Sequence, residues 1–167
     1  MDAGFDRFVP LGKAPVGGTP ELTMLCYASH SIPGLDQRRL RSLIQRARAA
    51  NMAAGITGCL VFDGRRFLQV IEGRPEAVTA LFERIEADPR HERVSLLWEG
   101  AAQRREFPRH PMACYNLAWR RMRGLREPQA ALNALLTSNG VRQADIVSLA
   151  ELFRCLRLPG WPEAIAA

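Results

Sequence analysis

The alternation of apolar and polar positions predicts a chain that forms a sheet with two amphipathic helices. Strand-like apolar runs occupy residues 22–29, 56–62, 66–73 and 94–100, with a last short run near 112–117. The turn at 63–65 joins the second and third runs, which predicts a β-hairpin. The first and third runs are apolar on both faces, which indicates a sheet that is covered on both sides.

Two helical patterns alternate with these strands. Asp36 is a suitable N-cap for a helix whose apolar face contains Leu40, Leu43, Ile44 and Ala47, and Gly55 ends that helix. Pro75 opens a second helix, and Asp88-Pro89 stops it. The order βαββαββ predicts an α+β, ferredoxin-like sheet with both helices on one face.

The chain is predicted to contain one folded domain with two flanking segments. Residues 1–20 are rich in Gly and Pro and are interpreted as a flexible lead, and residues 21–118 form the domain. Residues 119–167 form a C-terminal helical extension, with helical patterns at 127–137 and 145–156. We expect this extension to pack on the sheet face opposite the first two helices.

Composition narrows the class of protein. The 167 residues contain 47% hydrophobic and 24% charged residues, which is ordinary for a globular domain. No apolar run reaches the roughly 20 residues that cross a bilayer, and the N-terminus has no signal-peptide pattern, so a cytoplasmic protein is expected. None of the four cysteines lies in a CxxC pair, which favours buried reduced thiols and no metal site.

The charge leaves the type of partner open. The net charge is +6, and seven arginines stand against only Glu106 between residues 104 and 126. A nucleic-acid partner would suit such a basic stretch. The stretch lacks the interleaved aromatic residues of a single-strand binder, which favours a solvated face or one that docks on an acidic protein.

Several polar residues fall where the pattern demands apolar ones. Asn51 continues the apolar face of the first helix, where it serves either as a C-cap or as a ligand contact. Asp88 falls on the buried face of the second helix, as a helix terminator or as a second inward polar group. Gln69 lies between apolar residues on one strand face, and Tyr27 and Ser29 share a face of the first strand.

These residues belong to a longer series of motifs. In chain order they are Leu25–Ser29, Ala47–Asn51, Ile56–Gly58, Phe67–Gly73, Asp88–His91, Arg105–Phe107 and Met112. With this order and spacing, the stretch from Leu22 to about Leu117 resembles the BLUF family of blue-light sensors. Each motif alone is weak evidence for the family, but the whole series in this order is highly specific for it.

The resemblance implies a flavin, FAD with FMN or riboflavin as alternatives, held non-covalently between the two helices. It assigns Tyr27 as electron donor to the excited flavin, Gln69 as the amide that bridges Tyr27 and the flavin, and Met112 as the neighbour of Gln69. It also implies a flavin-binding set: Ser29, Asn51, Gln69, Asp88, Arg90 and His91.

The resemblance further implies a photoreceptor that is not an enzyme and that signals to a partner protein or through a homo-oligomer. One position departs from the family: His110 stands where many members carry a tryptophan, two residues before the methionine. The alternatives are a ferredoxin-like ligand-binding domain without photochemistry, or an RNA-binding domain. The RNA-binding domain would need exposed aromatic residues on its central strands.

Overall fold

The computed structural model describes residues 21–116, which form one sheet that carries two helices. The elements are β1 (Thr23–Ser31), α1 (Gln37–Ala53), β2 (Thr57–Phe62), β3 (Arg66–Gly73), α2 (Pro75–Glu86), β4 (His91–Ala101) and β5 (Ala113–Asn116). The predicted order βαββαββ is confirmed. The predicted extension, residues 119–167, and the lead, residues 1–20, lie outside the described residues.

The sheet has the strand order β4-β1-β3-β2-β5. Neighbouring strands run antiparallel except β2 and β5, which are parallel. This is the ferredoxin-like arrangement with one added strand, as predicted. The strand β4 begins at His91, earlier than its apolar run, because backbone pairing with β1 also includes the polar residues at its start.

Local signals explain where the helices begin and end. The Asp36 side chain accepts a hydrogen bond from the backbone N–H of Arg39 at 2.7 Å and so caps α1. The chain leaves α1 through Gly55, whose φ of 65° is unfavourable for residues with a side chain. In α2, Pro75 occupies the first turn, where its missing N–H costs nothing.

Both helices pack on the same face of the sheet, here called the first face, but on different parts of it. Leu40 and Ile44 of α1 pack with side chains of β2, β3 and β5. Val78 of α2 packs with Leu25 and Tyr27 of β1 and with β3. The two helices therefore stand over separate apolar clusters, and residues of β1 and β3 form the boundary between them.

The opposite side of the sheet, here called the second face, is also buried. Its core includes Met24, Cys26, Cys59, Leu68 and Val70, as the two-sided apolar pattern of β1 and β3 predicted. Cys26, Cys59 and Cys114 are free thiols, and burial raises the pKa of Cys26 and of Cys114 to about 12. They are inert packing residues. Within residues 21–116, no helix is long and apolar enough to cross a membrane.

We expect Gly58 not to tolerate a side chain, because the backbone of the neighbouring strand β3 occupies the position that its Cβ would take. An added Cβ would lie 2.0 Å from the Val70 carbonyl oxygen, which is backbone and cannot move aside. Gly58→Ala should lower the free energy of unfolding by about 3 kcal/mol in urea denaturation. The matched control is Gly34→Ala, which has φ of 78° but meets no atom within 4 Å; it should cost about 1 kcal/mol. Equal losses would contradict this account.

Candidate functional site

Tyr27 and Gln69 are direct cross-strand partners on the two central strands. They pair in the register of β1 and β3. Both side chains lie on the first face, Tyr27 is fully buried, and its hydroxyl donates a hydrogen bond to Gln69 Oε1. The sheet register itself therefore brings the two residues together, and a slip by one residue would place them on opposite faces.

Met112 joins this pair from the loop that precedes β5. Gln69 Nε2 donates to the Met112 sulphur at 3.4 Å, and all three side chains are buried. Thioether sulphur is a weak acceptor, so this is the weaker of the two bonds that Gln69 makes. The arrangement is a continuous path from the tyrosine hydroxyl through an amide to the methionine.

Burial raises the pKa of Tyr27 far above its ordinary value, with smaller contributions from Cys26 and Asp88. The phenol therefore keeps its proton at all physiological pH values and acts as a hydrogen-bond donor. Because a donor needs an acceptor, the amide oxygen of Gln69 faces Tyr27 and its N–H₂ group faces Met112.

Asn51 lies in the last turn of α1 and is buried. Its Nδ2 donates to the Pro111 carbonyl oxygen at 2.7 Å, so the side chain ties the helix to the segment before Met112. The C-cap of α1 is Ala54, three residues later, and the cap interpretation of Asn51 is therefore wrong. The reason is that α1 continues beyond Asn51 for another two residues.

Ser29 and His91 form a second polar pair beside the first. Ser29 Oγ and His91 Nδ1 are 2.8 Å apart, and the imidazole ring centroid lies 4.9 Å from that of Phe67. Burial lowers the pKa of His91, and Arg90 lowers it further against the opposing effect of Asp88. The histidine is therefore held in its neutral form.

Of the two interpretations of Asp88, the structure agrees with the helix terminator, whereas its placement on the buried face of α2 is wrong. The helix ends at Glu86, and Asp88 lies in the turn that follows, with 18% of its side chain exposed. Pro89 explains the early end, because it disfavours helical backbone at the preceding residue. Asp88 instead accepts from the guanidinium of Arg90, and this bond lowers the pKa of Asp88.

These pairs form a polar seam between the clusters of α1 and α2, made of Tyr27, Ser29, Asn51, Gln69 and His91. Several hydrogen-bonding positions in it are not used by the described residues: one N–H of Gln69, the Asn51 oxygen and His91 Nε2. Polar groups with spare capacity between two apolar helices suit a flat ligand with a polar edge. Among residues 21–116, no group of His, Cys, Asp and Glu is arranged to hold a metal.

The seam argues against the RNA-binding alternative. Tyr27 and Phe67, the aromatic residues of the central strands that such a domain would use, are both 0% exposed. Bases can stack only on exposed rings, so this face offers them no platform.

Sequence reasoning assigned no role to three residues that hold the β4–β5 connection, although each lies within a motif of the series. The carboxylate of Glu72 is fully buried and bonded to the backbone of the β4–β5 connection. Arg105 and Arg48 attach the same connection to the rest of the domain. The sequence offered one sign of this role: Glu72 is a lone carboxylate on an otherwise apolar strand. A buried charge requires partners, so such a residue predicts that another segment binds to it.

We expect the folded protein to lose stability at mildly acidic pH through His91. The pKa of His91 is lower in the folded protein than its unfolded value of about 6.5. The contribution of His91 to the free energy of unfolding is therefore complete above about pH 6.5 and is lost as the pH falls through the pKa of the folded state. The free energy of unfolding, measured from about pH 7.5 to 5, should fall by at most about 1.4 kcal/mol per pH unit from this residue. His91→Gln should flatten the slope. Equal slopes in wild type and His91→Gln would contradict this assignment.

Comparison with known proteins gives consistent relatives. The chain is 32% identical over 96 residues to the blue light- and temperature-regulated antirepressor BluF of Escherichia coli, covering 58% of this chain and 24% of that protein. The structure of BlrB, a BLUF protein in its dark state, matches with a TM-score of 0.66 and 27% identity over 83% of this chain and 98% of that one. Klebsiella pneumoniae BlrP1 with FMN and cyclic diGMP matches with a TM-score of 0.57 and 32% identity, over 70% and 35%.

The chain thus spans about a quarter of the length of its E. coli relative. The model of one family, "BLUF: Sensors of blue-light using FAD", matches residues 22–113, which is more than half of the chain. On this match and the fold, the chain belongs to the BLUF family of flavin-binding blue-light sensors.

Proposed function

We propose that Tyr27, Gln69 and Met112 form the light-driven switch of this sensor and that its output passes to a partner protein or to a second copy of the chain. The observation that supports this most directly is the buried path from the Tyr27 hydroxyl to Gln69 and on to the Met112 sulphur. On this proposal the chain is a photoreceptor and not an enzyme.

The chemistry of the seam fits a flavin. An isoalloxazine ring is flat, with apolar faces and carbonyl, ring-nitrogen and N–H groups along one edge. The spare N–H of Gln69 and the spare oxygen of Asn51 match an acceptor and a donor on such an edge. The apolar side chains of α1 and α2 on either side suit the ring faces.

The remaining members of the predicted binding set take different roles. Ser29 orients His91 through the 2.8 Å contact, which leaves His91 Nε2 for the ligand. Asp88 and Arg90 form a partly exposed ion pair, so we assign them to the rim of the site rather than its interior. FAD is the family's cofactor. FMN or riboflavin would offer the same ring to these residues.

The flavin supplies absorption of blue light and an electron acceptor once it is excited. Tyr27 is the proposed donor, and a phenol that loses an electron becomes a strong acid despite its high resting pKa. Gln69 Oε1 is bonded to that hydroxyl and takes its proton. An amide both donates and accepts, so Gln69 can rearrange while it holds this proton. When the electron returns from the flavin to Tyr27, the proton returns as well, and both groups regain their original charge.

The weak bond to Met112 makes the rearrangement inexpensive. When the Gln69 N–H₂ group turns, it gives up only a sulphur atom, which is a weak acceptor. Met112 directly precedes β5, so its displacement reaches the strand at the edge of the sheet. His110, at the family's usual tryptophan position, lies in the same loop, and its carbonyl accepts from the backbone N–H of Gly58 at 2.9 Å.

The purified protein is expected to be yellow and to release flavin on denaturation, because hydrogen bonds and packing alone hold the cofactor. Blue light should shift its absorption reversibly to the red, with thermal recovery in the dark. Absorption spectra before and after illumination measure both. A colourless preparation that takes up no added flavin would refute the proposal.

Two variants should separate the donor from the relay. Tyr27→Phe should keep the flavin and abolish the red shift, since only the hydroxyl is removed. Gln69→Leu should also abolish the shift, while quenching of flavin fluorescence by Tyr27 persists. The matched control is Tyr115→Phe, at the other of the two tyrosines, which lies on the second face. A normal photocycle in either site variant would remove that residue from the mechanism.

A further inference from the structure

The connection between β4 and β5, residues 102–112, carries Met112 and contains no helix or strand. It begins beside the second face, where Phe107 packs, and ends beside the first face, where Met112 meets Gln69. The position of Met112 therefore depends on how this connection is attached to the sheet.

The first attachment is a buried carboxylate. Glu72 Oε1 accepts from the backbone N–H of Phe107 at 2.7 Å, and Oε2 accepts from that of Glu106 at 2.8 Å. The Thr57 hydroxyl, on the paired position of β2, donates to Oε1 at 2.8 Å. Charge-assisted bonds of this kind are about twice as strong as neutral ones.

Arg105 completes the same attachment. Its Nη1 donates to Thr57 Oγ1 at 2.7 Å and to the Glu72 carbonyl oxygen at 2.9 Å. Its Nη2 donates to the Gly55 carbonyl oxygen at 2.7 Å. One guanidinium thus binds the end of α1 and both strands of the hairpin, and it places positive charge near the buried carboxylate.

The second attachment lies at Met112 itself. Asn51 donates to the Pro111 carbonyl, and Arg48 Nε donates to the Met112 carbonyl at 2.9 Å. Only Pro108 and Arg109 separate the two attached stretches, 105–107 and 110–112. A short connection held at both ends transmits a displacement at one end to the other.

We propose that Glu72, Thr57 and Arg105 are positioning residues for the switch: they anchor the connection and thereby set how closely the Met112 sulphur approaches Gln69. None of the three contacts Tyr27 or Gln69 through a hydrogen bond given by the structure. Their effect on the photocycle would come through Met112 alone. This inference rests on the proposed function, in which Met112 accepts the Gln69 N–H in the dark.

The test compares Arg105→Gln with Arg104→Gln in the full-length, flavin-containing protein. Arg104 is the adjacent arginine, its side chain is 77% exposed, and within the described part of the chain it forms a 3.3 Å ion pair with Glu106. Arg105→Gln should keep flavin and red shift but change the lifetime of the red-shifted state about fivefold, the factor for one net hydrogen bond. Arg104→Gln should leave the lifetime unchanged.

A second pair of variants distinguishes a positioning role from general destabilisation of the fold. Thr57→Val removes the hydroxyl that links Glu72 and Arg105 while keeping the side-chain shape, and should reproduce the Arg105→Gln lifetime. Thr57→Ser restores the hydroxyl and should recover the wild-type lifetime. If both Arg105→Gln and Thr57→Val lower thermal stability but leave the lifetime unchanged, the residues are merely structural and the inference is overturned.

The NMR resonance of the Met112 methyl group provides a readout that does not need photochemistry. It should move in Arg105→Gln and Thr57→Val, and stay in place in Arg104→Gln and Thr57→Ser. If the wild-type protein shows no red shift but the resonance moves as expected, the proposed function fails and the anchoring stands. If the resonance stays in place in all four variants, the anchoring is wrong whatever the photocycle does.

Discussion

The hydrogen bond between Tyr27 and Gln69 is the constraint on which the rest of the site depends. It joins the two central strands of the sheet at a pair of directly opposed residues. Burial makes the bond obligatory, because a phenol or an amide without a partner in such a place costs about 1–3 kcal/mol. The register of β1 against β3 is thus held by packing on two faces and by one polar pair.

The strengths of the hydrogen bonds around Gln69 are graded in a way that suits a switch. The connection that carries Met112 is attached by a carboxylate, a guanidinium and an amide. The final contact, from Gln69 to the Met112 sulphur, is weak by comparison. Because the other attachments are stronger, the contact between Gln69 and Met112 is the one that would change most easily in the switch that we propose.

The buried charge of Glu72 has a structural cost and a local compensation. Burial raises the pKa of Glu72, whereas the Glu106 and Phe107 backbone N–H groups, the Thr57 hydroxyl and the Arg105 charge lower it. A buried charge is tolerated when its lone pairs are satisfied in this way. An apolar residue at position 72 would keep the strand but would leave two backbone N–H groups of the connection without their acceptor.

Much of the fold and part of the site could be predicted from local pattern. Helical spacing, the Asp36 cap, Gly55 and Pro75 are short-range signals, and α1 and α2 formed where they indicated. Gln69 and Asn51 stood out because amides on apolar faces are rare. Asp88-Pro89 was recognised as the stop of α2, but the helix ends slightly earlier, at Glu86, which takes Asp88 off the buried face that periodicity gave it.

Local pattern was enough to predict the order of elements and the two-sided burial of β1 and β3, and the motif series indicated the flavin-sensor family. How the motifs meet depends on long-range contacts in the folded domain. Asn51 and Glu72 bind backbone groups 34 to 60 positions away, which lie in a connection with no periodic pattern of its own. Arg105, within that connection, binds residues 33 to 50 positions away. Periodicity reports which face a side chain occupies; it carries no information about which distant backbone group crosses that face.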